Sequence, residues 1–243
     1  MRLRAFAFGP VLAALMLAAG AAQGADALLV AAGAGYRKPV LALAERFTAR
    51  TGIKVEASFG NMGQVQAQLR QNPAIALVAG DKAFLEPMQV FDGFAPLGQG
   101  KLALVAARGV PLKALSDLKD ARFKRVALPD PVKAVYGKAA TTCLARTGLD
   151  QALQGRLLPV ATVPQVGAYV TAGEVDAGFV NRTEALALAA RAGEALDAPA
   201  ECYDPIEIVL GRVQGRAATP EAQAFIDFVA TPEAREVLVQ HGL

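Results

Sequence analysis

The chain has 243 residues, a formal net charge of +3, one histidine and two cysteines, and 53% of it is hydrophobic. Without Arg2 and Arg4 the charge falls to +1. That is too near neutral for a large nucleic-acid footprint, which needs clustered Lys and Arg.

Met1-Arg-Leu-Arg4 is a short basic head, and Ala5 to Ala22 is apolar and rich in Ala. This run sits at the lower limit of a membrane span. The arginines, the weak hydropathy and the small residues at Ala22-Gln-Gly24 favour a secretory signal peptide over residues 1–24. No Cys follows the run, so a lipid anchor is not indicated. The remaining chain is long enough for one large or two small domains, expected in the periplasm.

From Leu28 the pattern alternates. Leu28 to Ala32 reads as a short apolar strand ended by Gly33-Ala-Gly35. Tyr36 to Thr51 carries Val40, Leu41, Ala44 and Phe47 at helical spacing and stops at Gly52. Ile53, Val55, Ala57 and Phe59 alternate with polar residues, the period of a strand; Gly60-Asn-Met-Gly63 breaks it, and Gln64 to Gln71 reads as a helix. A strand that turns through glycines into a helix leaves free N–H groups at the turn, a ready site for an anion or a polar ligand. Further strands are expected at 74–79, 94–107 (one long strand or a pair), 125–128, 157–161, 175–180 and 206–213. Helices are expected at 136–146, 163–172, 183–192, 220–230 and 232–241. This alternation indicates an α/β protein with mostly parallel sheets, which gather ligands at the carboxyl ends of strands. Four such ends carry glycine or turn chemistry: Gly33–Gly35, Gly60–Gly63, Pro129–Gly137 and Val180–Arg182.

Cys143 and Cys202 form an even pair in an exported chain and read as a disulfide, two buried free thiols being the alternative. They are too few for a zinc site, and no metal or cofactor is indicated. His241, the only histidine, stands near the C-terminus, and no Ser, Thr or Cys sits in a nucleophile setting. The chain offers no catalytic constellation, and a binding protein is the better class.

Several stretches together resemble the periplasmic molybdate-binding proteins of ABC importers: LLVAAGAGYRKPVLALAERFTARTGIKVEASFGNMG, AIALVAGDKAFLEPM, RVALPDPVKAVYGKAA, VDAGFVNRTEAL and PEAQAFIDFVATPEAREVLVQHGL. The resemblance implies a two-lobed fold with two crossing strands between the lobes. One lobe is expected over residues 27–104 and 205–243, the other over 105–204. It further implies a monomer that passes a small oxyanion, such as molybdate or tungstate, to an ABC permease. A different oxyanion, a small organic acid or a metal chelate is the alternative, as is a periplasmic sensor role.

In the resembled family, neutral hydroxyls and backbone N–H groups hold a tetrahedral dianion in the cleft. The resemblance places Gly33, Ala34, Gly35, Asn61, Met62, Tyr136, Gln165 and Asn181 around that cleft. Gly33, the Asn61-Met62 pair and Asn181 stand where the family carries hydroxyls, so molybdate is expected to bind weakly. Restoring Gly33→Ser with Asn181→Tyr is expected to strengthen it. Met62 reads as wall packing, with a soft contact to a bulkier ligand as the alternative. Arg37 and Arg182 closely follow strand ends and are expected as anion contacts.

Overall fold

The computed structural model describes residues 27–243, so the expected leader over 1–24 lies outside the described residues. The chain opens with β1 (Leu28–Gly33), a 3-10 turn (Ala34–Tyr36) and α1 (Arg37–Thr51). Helix α1 stops at Gly52, which takes the left-handed conformation at φ 75°, a backbone state that glycine adopts without steric cost. Strand β2 (Val55–Gly60), α2 (Met62–Gln71), β3 (Ile75–Asp81), the short α3 (Lys82–Leu85) and β4 (Phe91–Gly100) follow.

After Lys101 alone, β5 (Leu102–Ala106) begins in a different sheet. The second sheet is completed by β6 (Val126–Pro129), α4 (Val135–Thr147), α5 (Leu149–Ala152), β7 (Leu157–Val160), α6 (Val163–Ala172), β8 (Ala177–Asn181), α7 (Arg182–Leu188) and β9 (Ala195–Asp197). The chain then returns through Tyr203–Pro205 to β10 (Ile206–Val213), and α8 (Pro220–Val229) and α9 (Pro232–Gln240) close the first lobe.

The two sheets have five strands each, in the orders β2-β1-β3-β10-β4 and β7-β6-β8-β5-β9. The protein is thus two-lobed, one lobe on each sheet, and the chain crosses between them twice. The first crossing, at Lys101, lies just before the expected boundary at 104/105. The expected 94–107 segment is accordingly a pair of strands, but its members belong to different sheets.

The sheets are less parallel than the alternation suggests. β1 pairs in parallel with β2 and β3, and β6 with β7 and β8. However, β10 is antiparallel to β3 and β4, and β5 to β8 and β9. Parallel neighbours need a crossover, usually a helix. β5 and β10 arrive straight from the other lobe without one, and they run the opposite way. The small β9, α5 and the 3-10 turn at 34–36 escape a reading by periodicity because each is too short to show a period.

Each lobe has a buried core. In the first, Phe47 of α1 meets Phe225 edge-on, with centroids 5.0 Å apart and planes at 85°, and lies 5.6 Å from Phe228. This cluster fixes α8 on α1, and truncating one such ring to Ala typically costs about 3–5 kcal/mol. In the second lobe Cys143 and Cys202 form a disulfide that ties α4 to the segment just before the return crossing.

Candidate functional site

The carboxyl ends of β1, β2, β6 and β7 point into the cleft and each runs into a helical turn. Their turns enclose one cavity. Gly33, Ala34, Gly35, Tyr36, Gly60, Asn61 and Met62 line it from the first lobe, and Ala134, Val135, Tyr136, Thr162 and Val163 from the second. It leaves ≈ 20 Å³ for the centre of a water-sized sphere. Taken as a sphere, that freedom plus an oxygen radius gives a void about 3 Å in radius, comparable with one tetrahedral oxyanion.

The lining contains no charged side chain. Its polar groups are two phenols, an amide, a hydroxyl and backbone. Tyr36 comes from the first lobe and Tyr136 from the N-terminal turn of α4. Both are 2% exposed, and the Tyr36 hydroxyl donates to Tyr136 Oη at 3.3 Å. Burial raises the pKa of both phenols; for Tyr36 the neighbouring Tyr136 and then Asp81 push it further up. For Tyr136 burial again dominates, with Tyr36 and Asn181 pulling the other way and Asp81 raising it. Both hydroxyls therefore stay protonated at physiological pH; Tyr36 gives its proton to Tyr136, and the Tyr136 proton is left for another acceptor. A Cβ at Gly100 would collide with Tyr136 Oη, so glycine at the end of β4 makes room for this phenol. Val135 and Tyr136 are the first residues of α4, and their N–H groups have no intrahelical acceptor. Val163 stands in the same position on α6. Helix ends of this kind favour negative charge.

Six of the eight sequence-expected cleft residues line the cavity: Gly33, Ala34, Gly35, Asn61, Met62 and Tyr136. Asn181 stands beside it, 1% exposed, with Nδ2 donating to the Gly35 carbonyl at 2.8 Å. Gln165 does not line the cavity. It is exposed, and its Oε1 accepts from Thr162 N at 3.1 Å in the capping box of α6; the helix start, not the cleft, uses this side chain. Neither arginine enters the cavity. Arg37 stacks on Phe59 at 4.9 Å, and Arg182 pairs with Asp197 at 2.8 Å. His241 also lies apart, with Nδ1 2.8 Å from the Val237 carbonyl.

Met62 is wall packing. It is 2% exposed, and a Cβ at Gly80 would fall 2.8 Å from its Cε and 3.1 Å from its Sδ. A Cβ at Gly33 would lie 3.1 Å from the Tyr36 ring and 3.5 Å from Met62 Sδ. The space that a side chain at 33 would use is thus filled by Tyr36. Tyr36, Thr162 and Val163 were not foreseen as site residues. Tyr36 immediately follows the Gly33–Gly35 turn, and that adjacency is the signal that points to it.

A cavity between two lobes, mostly apolar in surface with a few neutral polar groups and helix starts at its wall, fits a two-lobed binding protein. The chain belongs to the family of bacterial extracellular solute-binding proteins, whose model matches residues 28–243. It is similar to the molybdate-binding protein ModA of Azotobacter vinelandii, 30% identical over 93% of this chain and 92% of that one. It is also similar to ModA of Rhodobacter capsulatus, 25% identical over 96% and 94%. Among solved structures, a periplasmic molybdate-binding protein of Azotobacter vinelandii superposes with a TM-score of 0.81 at 26% identity, covering 88% of this chain and 97% of that chain. These relatives are binding proteins. The chain is a solute-binding protein homologous to the molybdate-binding proteins of ABC importers.

Proposed function

We propose that this protein is a monomeric periplasmic receptor that captures one small tetrahedral oxyanion between its lobes and delivers it to an ABC permease. It acts as a binding protein and not as an enzyme. The observation that carries this reading is the cavity between the lobes, about 3 Å in radius, lined by Tyr36, Tyr136 and helix starts with no charged side chain. Several neutral donors and helix dipoles share the charge of a dianion without a counter-ion. The phenols supply hydroxyls that Gly33 and Asn181 lack. The named relatives bind molybdate, which makes molybdate and tungstate the first ligands to try.

The lobes, taken as residues 27–101 with 205–243 and residues 102–204 because β5 pairs within the second sheet, open and close about the crossings. Tyr203 ties these together, its hydroxyl accepting from Leu102 N at 3.3 Å.

A second reading, a different small anion, is favoured by the two asparagines. The amides of Asn61 and Asn181 are both engaged by backbone carbonyls, so molybdate meets fewer side-chain donors here than hydroxyls at those positions would offer. Native mass spectrometry of the exported protein, purified without added ligand, tests the proposal. The expected spectrum shows the chain lacking residues 1–24 and carrying one oxyanion whose mass names it. A chain loaded with an amino acid or sugar would refute the oxyanion reading.

A further inference from the structure

Asn61 and Asn181 stand on opposite lobes and make the same pair of bonds. Asn61 caps α2 in the first lobe: its Oδ1 accepts from Gln64 N at 2.9 Å, while its Nδ2 donates to the Ala161 carbonyl of the second lobe at 3.2 Å. Asn181 caps α7 in the second lobe: its Oδ1 accepts from Glu184 N at 3.0 Å, while its Nδ2 donates to the Gly35 carbonyl of the first lobe at 2.8 Å. Both are buried, at 7% and 1% exposure.

We propose that Asn61 and Asn181 are a reciprocal pair of positioning residues that clasp the two lobes shut over the cavity. The cap fixes the orientation of each amide. With Oδ1 held by a helix N–H, the NH₂ is left as a preset donor toward the other lobe. Each bond ends at the wall of the cavity, since Gly35 lines it and Ala161 immediately precedes the lining residue Thr162. Residue type is decisive. Serine and aspartate cap a helix as well as asparagine does. Serine is too short to donate across the cleft, however, and aspartate would set a carboxylate against a carbonyl. Asparagine alone of these three joins a cap on one lobe to a donor for the other.

Further contacts span the same cleft: Met62 N to the Lys133 carbonyl at 2.8 Å, Lys38 Nζ to Glu184 at 3.6 Å and the Tyr36 hydroxyl to Tyr136 Oη at 3.3 Å. The clasps thus belong to a seam made by protein groups on both sides. Closure is then set partly by the chain itself, and the apparent affinity for any ligand scales with the closed fraction.

The inference rests on the two-lobed fold and not on the identity of the ligand, so the test uses ligand-free protein. Small-angle scattering compares the mature wild-type chain with N61S/N181S and N61D/N181D, alongside circular dichroism for helix content. Wild type should show a radius of gyration near the about 17 Å of a compact chain of this size. Both variants should keep their helix signal and shift to a larger radius. The Ser pair adds no charge and carries the test if the Asp pair fails to fold. Folded Ser variants with the wild-type radius would overturn the clasp, and so would loss of helix signal in the Ser pair, which would assign the asparagines a capping role only. A failure of the oxyanion reading would appear in the mass spectrum and leave this scattering result standing.

Discussion

The hydroxyls of Tyr36 and Tyr136 lie 3.3 Å apart, one carried by each lobe, at the wall of the same cavity. The Tyr36 proton is committed to Tyr136 Oη, so of the two phenols Tyr136, held by Tyr36 from the other lobe, is the one left to donate to an anion, which couples binding to closure. Removing the Tyr136 hydroxyl should cost one charge-assisted bond, and removing that of Tyr36 the group that orients it. Tyr36→Phe and Tyr136→Phe are each expected to weaken oxyanion binding by about 1.5–3 kcal/mol, roughly ten- to a hundredfold. Both variants should stay folded, with stability lowered by no more than the loss of one buried hydrogen bond, about 1–3 kcal/mol. Titration calorimetry with the oxyanion that co-purifies checks this; unchanged affinity in both variants would remove the phenols from the site.

Gly100 gives an indirect route to the same hydroxyl. A Cβ there would collide with Tyr136 Oη, so Gly100→Ala should displace the phenol and weaken binding about as much as Tyr136→Phe does. Non-additivity in the double variant is the expected signature of a shared cause. Fully additive losses would mean that Gly100 acts by another path.

At Gly33 the fold sets a steric cost against the gain of a donor. Hydroxyl counting favours Gly33→Ser as a gain of one donor. In the fold, the Tyr36 ring lies 3.1 Å from where that Cβ would stand, closer than ordinary van der Waals contact. Asn181 is buried and committed to both a cap and a cross-lobe bond, and Asn181→Tyr would give up both. Gly33→Ser is therefore expected to weaken binding by shifting Tyr36, and increased molybdate affinity on calorimetry would show that the ring yields instead.

Much of this was legible in the residues. The strand-end turns, the helices and the Ile206–Val213 strand follow from periodicity and glycine placement, and three of the four marked ends, Gly33–Gly35, Gly60–Gly63 and Pro129–Gly137, contribute to the cavity wall; Val180–Arg182 does not, and the start of α6 does. What stayed hidden was decided between distant residues. Arg37 and Arg182 sit beside the right turns, yet Phe59 and Asp197 draw them away. Gln165 is consumed by its own helix cap. Tyr36 gains its role only because Tyr136, from the other lobe, meets it. Strand direction was hidden likewise, since β5 and β10 take theirs from the lobe they leave.

The Cys143–Cys202 bridge closes a span of 59 residues in the second lobe. On the chain-entropy model a loop of this length contributes about 4 kcal/mol or less. Denaturant titration with and without reductant should show a midpoint lowered accordingly, and thiol labelling of the exported protein should take up two labels only after reduction. Labelling without reductant would contradict the bridge.

Asp81 supplies a pH signature. It is buried, and its Oδ1 accepts from Ala83 N at 3.3 Å as the cap of α3. Burial raises its pKa, the Ala83 N–H and Lys138 lower it, Glu207 raises it, and the Tyr36 and Tyr136 phenols feel its charge. A carboxyl whose pKa is higher folded than unfolded adds stability fully only below its unfolded value, about 3.9, and loses that contribution as pH rises through the folded value. Asp81→Asn keeps a capping oxygen and removes the titration. The variant should melt higher than wild type near neutral pH, with the gap closing in acid; a pH-independent difference would contradict this assignment.

The central claim is that neutral donors in the cavity between the lobes hold one tetrahedral oxyanion. Calorimetric titration of the mature, ligand-stripped protein with sodium molybdate, tungstate, sulfate and phosphate tests it most directly. The account predicts one site per chain for at least one of these four, with affinity falling roughly ten- to a hundredfold in Tyr136→Phe. No heat from any of the four, or binding indifferent to Tyr136→Phe, would contradict it.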